Sequence, residues 1–254
     1  MMVKVGLLYK GITYLKITDH IFTGKIMKRF SFAEIQNFFS EGERNQIARK
    51  VLELKPHWKK LHNYNIYKSS VYLKSDYSKN QYLLGDSIYP LKPKDTSEIN
   101  KEVQGILLKE FKELIYEKLI NKIGVWFEVF NYKGTEFYPN LPIPGFHIFD
   151  GKQIAEPFGW HTDTTLCLWE DNIDPKRLFS FLSPIMMPQQ GAHLEWLMVS
   201  GKESTIPYEY GTLHLWSGIE KHRIGRHALA NYEKRITLQG HIYINPTGKV
   251  QLFF

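Results

Sequence analysis

The 254-residue chain carries one cysteine, Cys167, which excludes an internal disulfide framework and fits a reducing compartment. It has no apolar run near the roughly 18 residues needed to span a bilayer, so a membrane-spanning role is not expected. Its start, MMVKVGLLYKG, lacks the long apolar stretch and small-residue cleavage site of a signal peptide, so a cytoplasmic location is expected. Internal repeats with a period of roughly 20–50 residues and low-complexity segments are absent too, which argues against a solenoid or a tail. Nor is there a long basic block. The lysines are scattered, and the formal charge of +7 is a mild excess. Such a balance favours an acidic small molecule or acidic peptide as substrate, and makes nucleic acid the less favoured partner. Nothing in the composition indicates an oligomeric state.

What is present is core material. Hydrophobic residues make up 43% of the chain and aromatics 15%, enough to pack one domain spanning 1–254, with no linker to divide it. The N-terminal part, 1–123, reads as mixed and helical. Val3–Tyr9 and Ile12–Ile17 alternate around Lys10-Gly11 as a hairpin would. Ser40-Glu-Gly-Glu43 has capping-box spacing before a helical run with Ile47, Val51 and Leu54, ended by Pro56. A turn-rich section over about 57–96 contains the more ordered YLLGDSIY. Thr96-Ser97 then opens the longest expected helix, to about Lys122. From 124 onward the runs VWFEVF, GFHIF, TTLCLW, RLFSFL, AHLEWLMV, TLHLWS, RITLQGHIYI and VQLFF read as strands. Helices followed by strands predict an α+β, mainly β fold. Its antiparallel sheets would form a double-sheet roll or barrel with helices packed on one side.

Chemistry concentrates in that second part. In GWHTDTTLCLW, His161 and Asp163 stand two apart, and in an extended chain they point to one side. An HxD pair alone is a weak signal and also suits a polar strand end. Its company strengthens it: His222 lies downstream, and Arg235-Ile-Thr237 opens a strand whose polar side reads Arg235, Thr237, Gln239, His241. Two imidazoles and a carboxylate on one side of a metal leave open positions, the facial arrangement of non-haem Fe(II) oxygenases. A nearby arginine and hydroxyl can hold a carboxylate in two-pronged fashion.

HxD, a distant His, then Arg-x-Thr on the following strand resembles the Fe(II)/2-oxoglutarate-dependent dioxygenase superfamily over about residues 124–245. PQQGAHLEW and YEYGTLHLWSGIEKHRIG resemble that family's segments around its core strands. The resemblance implies a double-stranded β-helix (jelly-roll, cupin-like) core. It makes His161, Asp163 and His222 the iron ligands and catalytic centre, with Arg235 and Thr237 the dock for 2-oxoglutarate. The cofactors implied are Fe(II), 2-oxoglutarate as co-substrate, and O₂. With a carboxylate ligand present instead of the small residue of the related halogenases, hydroxylation, desaturation or oxidative demethylation is implied, with release of succinate and CO₂. The substrate would be a small molecule, an amino acid or a peptide side chain.

Rival readings remain at this point. His227 competes with His222 for the distal position, and His193-Leu-Glu195 is a second His-x-acid pair. His147, His214 and His241 lie in apolar runs and read as satisfied or cavity-lining groups, and Trp160, Trp169, Trp196 and Trp216 as core. Tyr64, Tyr67, Lys68, Tyr72, Lys74 and Tyr77 form an interleaved basic-aromatic stretch that a nucleic-acid-binding or nucleic-acid-modifying protein could use. A cupin-like isomerase or sensor would keep the histidines and Asp163 but have no use for Arg235.

Overall fold

The computed structural model describes residues 3–5, 15–17, 32–61, 80–88, 99–128, 130–155, 159–197 and 203–254. The basic-aromatic stretch and Thr96-Ser97 lie outside them. Within them the chain runs β1 (Val3–Val5), β2 (Leu15–Ile17), β3 (Phe32–Ile35), α1 (Glu41–Glu53), β4 (Lys59–Lys60), β5 (Gln81–Leu84), α2 (Lys101–Phe111) and α3 (Glu117–Glu128). Next come β6 (Thr135–Phe137), β7 (Gly145–Asp150), β8 (Gln153–Ala155), α4 (Leu166–Trp169), β9 (Leu178–Met186), β10 (Gln190–Gly191) and β11 (Leu194–Leu197). The last elements are β12 (Glu203–Ile206), β13 (Leu213–Ser217), β14 (His222–Ile224), β15 (His227–Leu229), β16 (Lys234–Ile244) and β17 (Val250–Phe253).

Local chemistry explains the helix boundaries. The Ser40 side chain accepts from the Glu43 N–H while Glu43 reaches back to the Ser40 N–H, the capping box expected from the sequence. The following helix stops at Glu53, and Pro56 falls in the 3₁₀ turn after it. The next helix starts later than expected, at Lys101, where the Asn100 side chain caps Val103. It passes through a π-turn at Lys112–Tyr116 and continues to Glu128 rather than to Lys122. VWFEVF therefore opens as helix instead of strand. Leu119, Ile123, Trp126 and Phe127 are all buried at helical spacing, so packing of that stripe overrides the strand preference of Val, Trp and Phe.

The mainly β part is built from antiparallel sheets. A nine-stranded sheet has the order β3-β13-β9-β16-β7-β5-β4, with β17 beside β16 and β6 beside β17, that last pair parallel. Two three-stranded sheets, β10-β15-β8 and β12-β11-β14, accompany it. Side chains alternate across the large sheet because successive residues of a strand point to opposite faces. Ala33, Ile35, Phe146, Ile148, Phe179, Phe181, Leu213, Leu215, Ile236, Leu238 and Ile242 join α1, α2 and α3 in one apolar cluster. Phe32, Leu182 and Trp216 turn the other way and pack on Leu194 and Trp196 of the smaller sheet. By the same parity Glu34, His147, Ser180, His214, Arg235, Thr237 and His241 share this second, inner face. Charged and polar chemistry is thus sorted to one side of the sheet.

Candidate metal centre and anion dock

His161, Asp163 and His222 come together. One ligand atom from each lies within 4.8 Å of the other two, the one such His/Cys/Asp/Glu grouping among the described residues. The strand parity expected for His161 and Asp163 is not what joins them. The LCLW of TTLCLW forms the short helix α4, in which Leu166 and Trp169, three apart, are both buried in a side cluster. Instead the HxD segment is tied backbone to backbone. His161 and His222 exchange N–H···O bonds of 3.1 and 3.0 Å as an isolated antiparallel bridge, and the Asp163 N–H donates to the Gly218 carbonyl at 2.7 Å. Gly218 is required for that approach, since a Cβ there would sit 2.8 Å from the Asp163 carbonyl oxygen.

The imidazoles are oriented. His161 Nδ1 lies 2.9 Å from the Gly159 carbonyl, and His222 Nδ1 lies 3.0 Å from that of Glu220. A carbonyl can only accept, so each Nδ1 carries a hydrogen and Nε2 is the atom each ring can offer to a metal once it bears no proton. Both Nε2 atoms face the carboxylate, His222 at 3.1 Å and His161 at 3.9 Å. Burial alone pushes the Asp163 carboxyl up, but His222, His241 and His161 outweigh it and hold it well below the usual carboxylate range. His222 moves oppositely: burial disfavours its proton, and the Asp163 charge more than restores it. Ser180 adds a hydrogen bond, donating to Asp163 Oδ2 at 2.5 Å, while its Oγ lies 3.0 Å from His241 Nδ1. Trp216 and Trp196 pack against the His222 ring at 5.2 and 6.4 Å. An ionised carboxylate and two Nε2 lone pairs are a donor set suited to a divalent first-row ion.

The rival ligand candidates go elsewhere. His227 is buried away from this cluster, stacked on Phe149 at 5.0 Å. Glu195 of the second His-x-acid pair is bound to Arg223 at 2.6 Å. Arg223 in turn lies 4.1 Å over the half-buried Trp160 ring.

Arg235 is fully buried on the inner face, and no carboxylate within salt-bridge range neutralises it among the described residues. Its Nη1 donates to Thr237 Oγ1 at 3.2 Å, while Nε and Nη2 make no well-aligned hydrogen bond and interact with the nearby Tyr208 side chain. The guanidinium lies between the Phe149 ring at 5.0 Å and the Tyr208 ring at 5.7 Å. Opposite it, β9 and β16 slip register between Ile236 and Thr237, near Pro184, which has no N–H to give the ladder. Each orphaned buried donor costs roughly 1–3 kcal/mol, so two on one guanidinium mark a place built for an acceptor. An anionic carboxylate satisfies both, and Thr237 stands beside it.

No family model matches the chain, and no curated protein matches it. Solved structures do. An oxidoreductase of the 2OG-Fe(II) oxygenase family from Burkholderia pseudomallei is 12% identical, covering 82% of this chain and 84% of that one, with a TM-score of 0.49. A prolyl hydroxylase from Trichoplax adhaerens, in complex with a hypoxia-inducible-factor peptide fragment, is 16% identical over 88% and 83%, TM-score 0.45. The non-heme alpha-ketoglutarate-dependent epimerase SnoN from nogalamycin biosynthesis is 11% identical over 88% and 83%, TM-score 0.46. The chain is similar to 2-oxoglutarate–Fe(II) oxygenases. At these scores the likenesses leave the choice of function to the side chains described above.

Sequence reasoning passed over Tyr208, and it left His147 among the satisfied or cavity-lining histidines. His147 faces Thr237 directly across β7 and β16, and its buried Nε2 has no partner. The signal for His147 was its place in GFHIF, but only the strand register connects it to Arg235.

Proposed function

We propose that this chain is an Fe(II)- and 2-oxoglutarate-dependent oxygenase built on a double-stranded β-helix within one domain. It would hydroxylate an unactivated C–H bond of a small molecule, amino acid or peptide side chain, with O₂ consumed and succinate and CO₂ released. One observation carries the reading. Two metal-ready imidazoles and an ionised carboxylate converge on the same inner face as a buried, unneutralised guanidinium. A metal protein that does not use an oxo-acid has no need of that guanidinium, and a structural arginine buried this deeply would face a carboxylate of the chain itself.

In this reading His161, Asp163 and His222 hold the ion, and Arg235 with Thr237 docks the remote carboxylate of 2-oxoglutarate. Bound ferrous iron supplies open coordination positions and the oxidising chemistry. The chain's own residues do the rest. Gly159 and Glu220 carbonyls keep both Nε2 atoms aimed inward, Ser180 fixes one Asp163 oxygen, and Trp196 and Trp216 exclude water behind His222. Arg235 aligns the co-substrate by its far end, which sets where its keto-acid end meets the metal.

The test is anaerobic addition of Fe(II) and 2-oxoglutarate. A weak visible charge-transfer band is expected, abolished in Asp163→Ala and strongly weakened in Arg235→Ala; an unchanged band in both variants rejects the assignment. Succinate release, screened across amino acids, peptides and nucleotides under O₂, then identifies the substrate class.

A further inference from the structure

The two imidazoles of the candidate metal centre come from elements that share little backbone. His222 belongs to β14, which pairs with β11 along three residues. His161 lies outside the strands, and among the described residues its backbone meets β14 through one isolated bridge, with Asp163 bonded to Gly218 just beyond. The next pair outward from that bridge is Trp160 opposite Arg223. Beside a hydrogen-bonded pair, antiparallel chains exchange no backbone bonds, so the junction there falls to side chains. The Arg223 guanidinium lies 4.1 Å over the Trp160 ring. Its Nε donates to Glu195 Oε2 of β11 at 2.6 Å, and its Nη2 reaches Glu203 Oε2 of β12 at 3.4 Å. Gly225 leaves the room for Glu195, since a Cβ there would stand 2.5 Å from Oε1. By strand alternation Trp160, Arg223 and Glu195 form one row on the outer side of the small sheet. That row backs directly onto His161, His222 and Trp196.

We propose that Arg223 is a positioning residue for the metal centre. Clasped between Glu195 and Trp160, it holds the His161 segment against β14 and so sets the spacing of the two Nε2 atoms. The proposal rests on the reading of His161, Asp163 and His222 as a metal site, and extends it to three residues that do not face the ion. An exposed arginine–glutamate pair contributes little by itself. This pair is partly buried, with 19% and 22% of the two side chains exposed, and a third group fixes its geometry. Its leverage comes from its place in the chain. Trp160 and Arg223 each stand one residue from a ligand, and a site loosened by about 1 Å no longer fits its ion. Arginine suits the task where lysine does not: the planar guanidinium stacks one face on the indole while its edge binds a carboxylate.

The experiment is an anaerobic titration with Co(II) alone, well below Tm, reading both the Kd and the visible d–d spectrum of the bound ion. Arg223→Ala and Trp160→Leu should each bind Co(II) roughly 10–100-fold more weakly and change the spectrum. Trp160→Phe keeps a ring face and should recover most of the affinity. The double variant Arg223→Ala/Trp160→Leu should be no weaker than either single one, because the two side chains act as one device. A lowered Tm with unchanged Kd and spectrum makes the row structural and overturns the proposal. So does a loss in Trp160→Phe as large as in Trp160→Leu, or a double variant that adds the two single losses. Each of these leaves the metal site itself in place, whereas no Co(II) binding by the unmodified protein overturns both. Arg223→Lys, which keeps the charge but not the planar stack, decides the matter if the truncated variants fail to fold: weaker binding supports the proposal and unchanged binding overturns it.

Discussion

The two faces of the large sheet are made by the same strands and behave as opposites. Toward the helices, Phe146, Ile148, Phe181, Leu215 and Leu238 are at most 0% exposed and carry no polar side-chain atom to satisfy. On the other side the alternate residues of those strands include His147, His214, Arg235 and Thr237, equally buried or nearly so, and several have orphaned nitrogens. One face gains stability from burial. The other holds groups whose burial costs stability unless something else binds there. Placing unsatisfied polar atoms on one face, back to back with a satisfied core, is how a rigid site is supported without being part of the core.

The largest break in this comparison comes from the apolar face. Phe181→Ala should destabilise by about 3–5 kcal/mol, lowering Tm by roughly 6–20 °C in thermal denaturation. Arg235→Leu, equally buried on the opposite face, should leave Tm within about 2 °C of the original or raise it, because it removes an unneutralised buried charge. The same substitution should strongly weaken 2-oxoglutarate binding. A large Tm loss in Arg235→Leu would make the guanidinium a structural element and collapse the contrast.

Ser180→Ala probes the inner face more gently. It takes a 2.5 Å donor from Asp163 Oδ2 and cuts the link to His241, without touching a side chain that faces the ion. A drop of about 10–100-fold in Fe(II) or Mn(II) affinity is expected, with Tm little changed. Metal titration of the variant against the unmodified protein measures it. Equal affinity would mean that the backbone bond from Asp163 to Gly218 positions the carboxylate unaided.

The faces should also differ in their response to acid. His147 and His227 have pKa values lowered to about 3 and about 4, in each case chiefly by burial, with Arg235 adding to it. In the unfolded chain both titrate near 6.5, so between about pH 6.5 and pH 4 the unfolded state binds more protons. Stability contributed by keeping them neutral is therefore present above pH 6.5 and lost as the pH falls toward their folded values. His161 and His241 lean the same way and His222 the opposite way. Urea denaturation of metal-free protein across pH 4–8 should show this decline, and His147→Phe should flatten it. An identical slope in the variant would place the acid-sensitive groups elsewhere.

How far the sequence could be read follows from the same geometry. Arg235, Thr237 and His241 were legible because period-two alternation within one strand needs no knowledge of its neighbours. The Ser40–Glu43 box was legible because it is local. His161 and Asp163 were found for a reason that the fold does not use: their segment is fastened to His222 and Gly218, contacts some sixty residues away in sequence, and α4 follows where a strand was expected. VWFEVF misled because a helix stripe and a strand can share the same apolar residues until their partner is known. His147 was read only as a satisfied or cavity-lining group, because nothing in GFHIF points at Arg235; the register of β7 against β16 does. Tyr208 was not considered, since its nearness to Arg235 comes from tertiary packing alone.

The smallest effect belongs to the helical layer, far from either face's chemistry. Ser40 caps α1 by accepting from Glu43 N–H, and Glu43 completes the box while also pairing with Lys118 of α3. Removing the hydroxyl in Ser40→Ala should cost about 1 kcal/mol, since one helix N–H loses its partner to water and the rest of the helix stays packed through Ile47 and Val51. Metal and oxo-acid affinities should not move. Glu43→Gln should cost a similar amount only if the Lys118 pair contributes, because glutamine retains the cap but not the charge. A shift in metal affinity in either variant would mean that α1 transmits strain through Phe179 and Phe181 to Ser180 on the other side of β9, and that the two faces are coupled rather than independent.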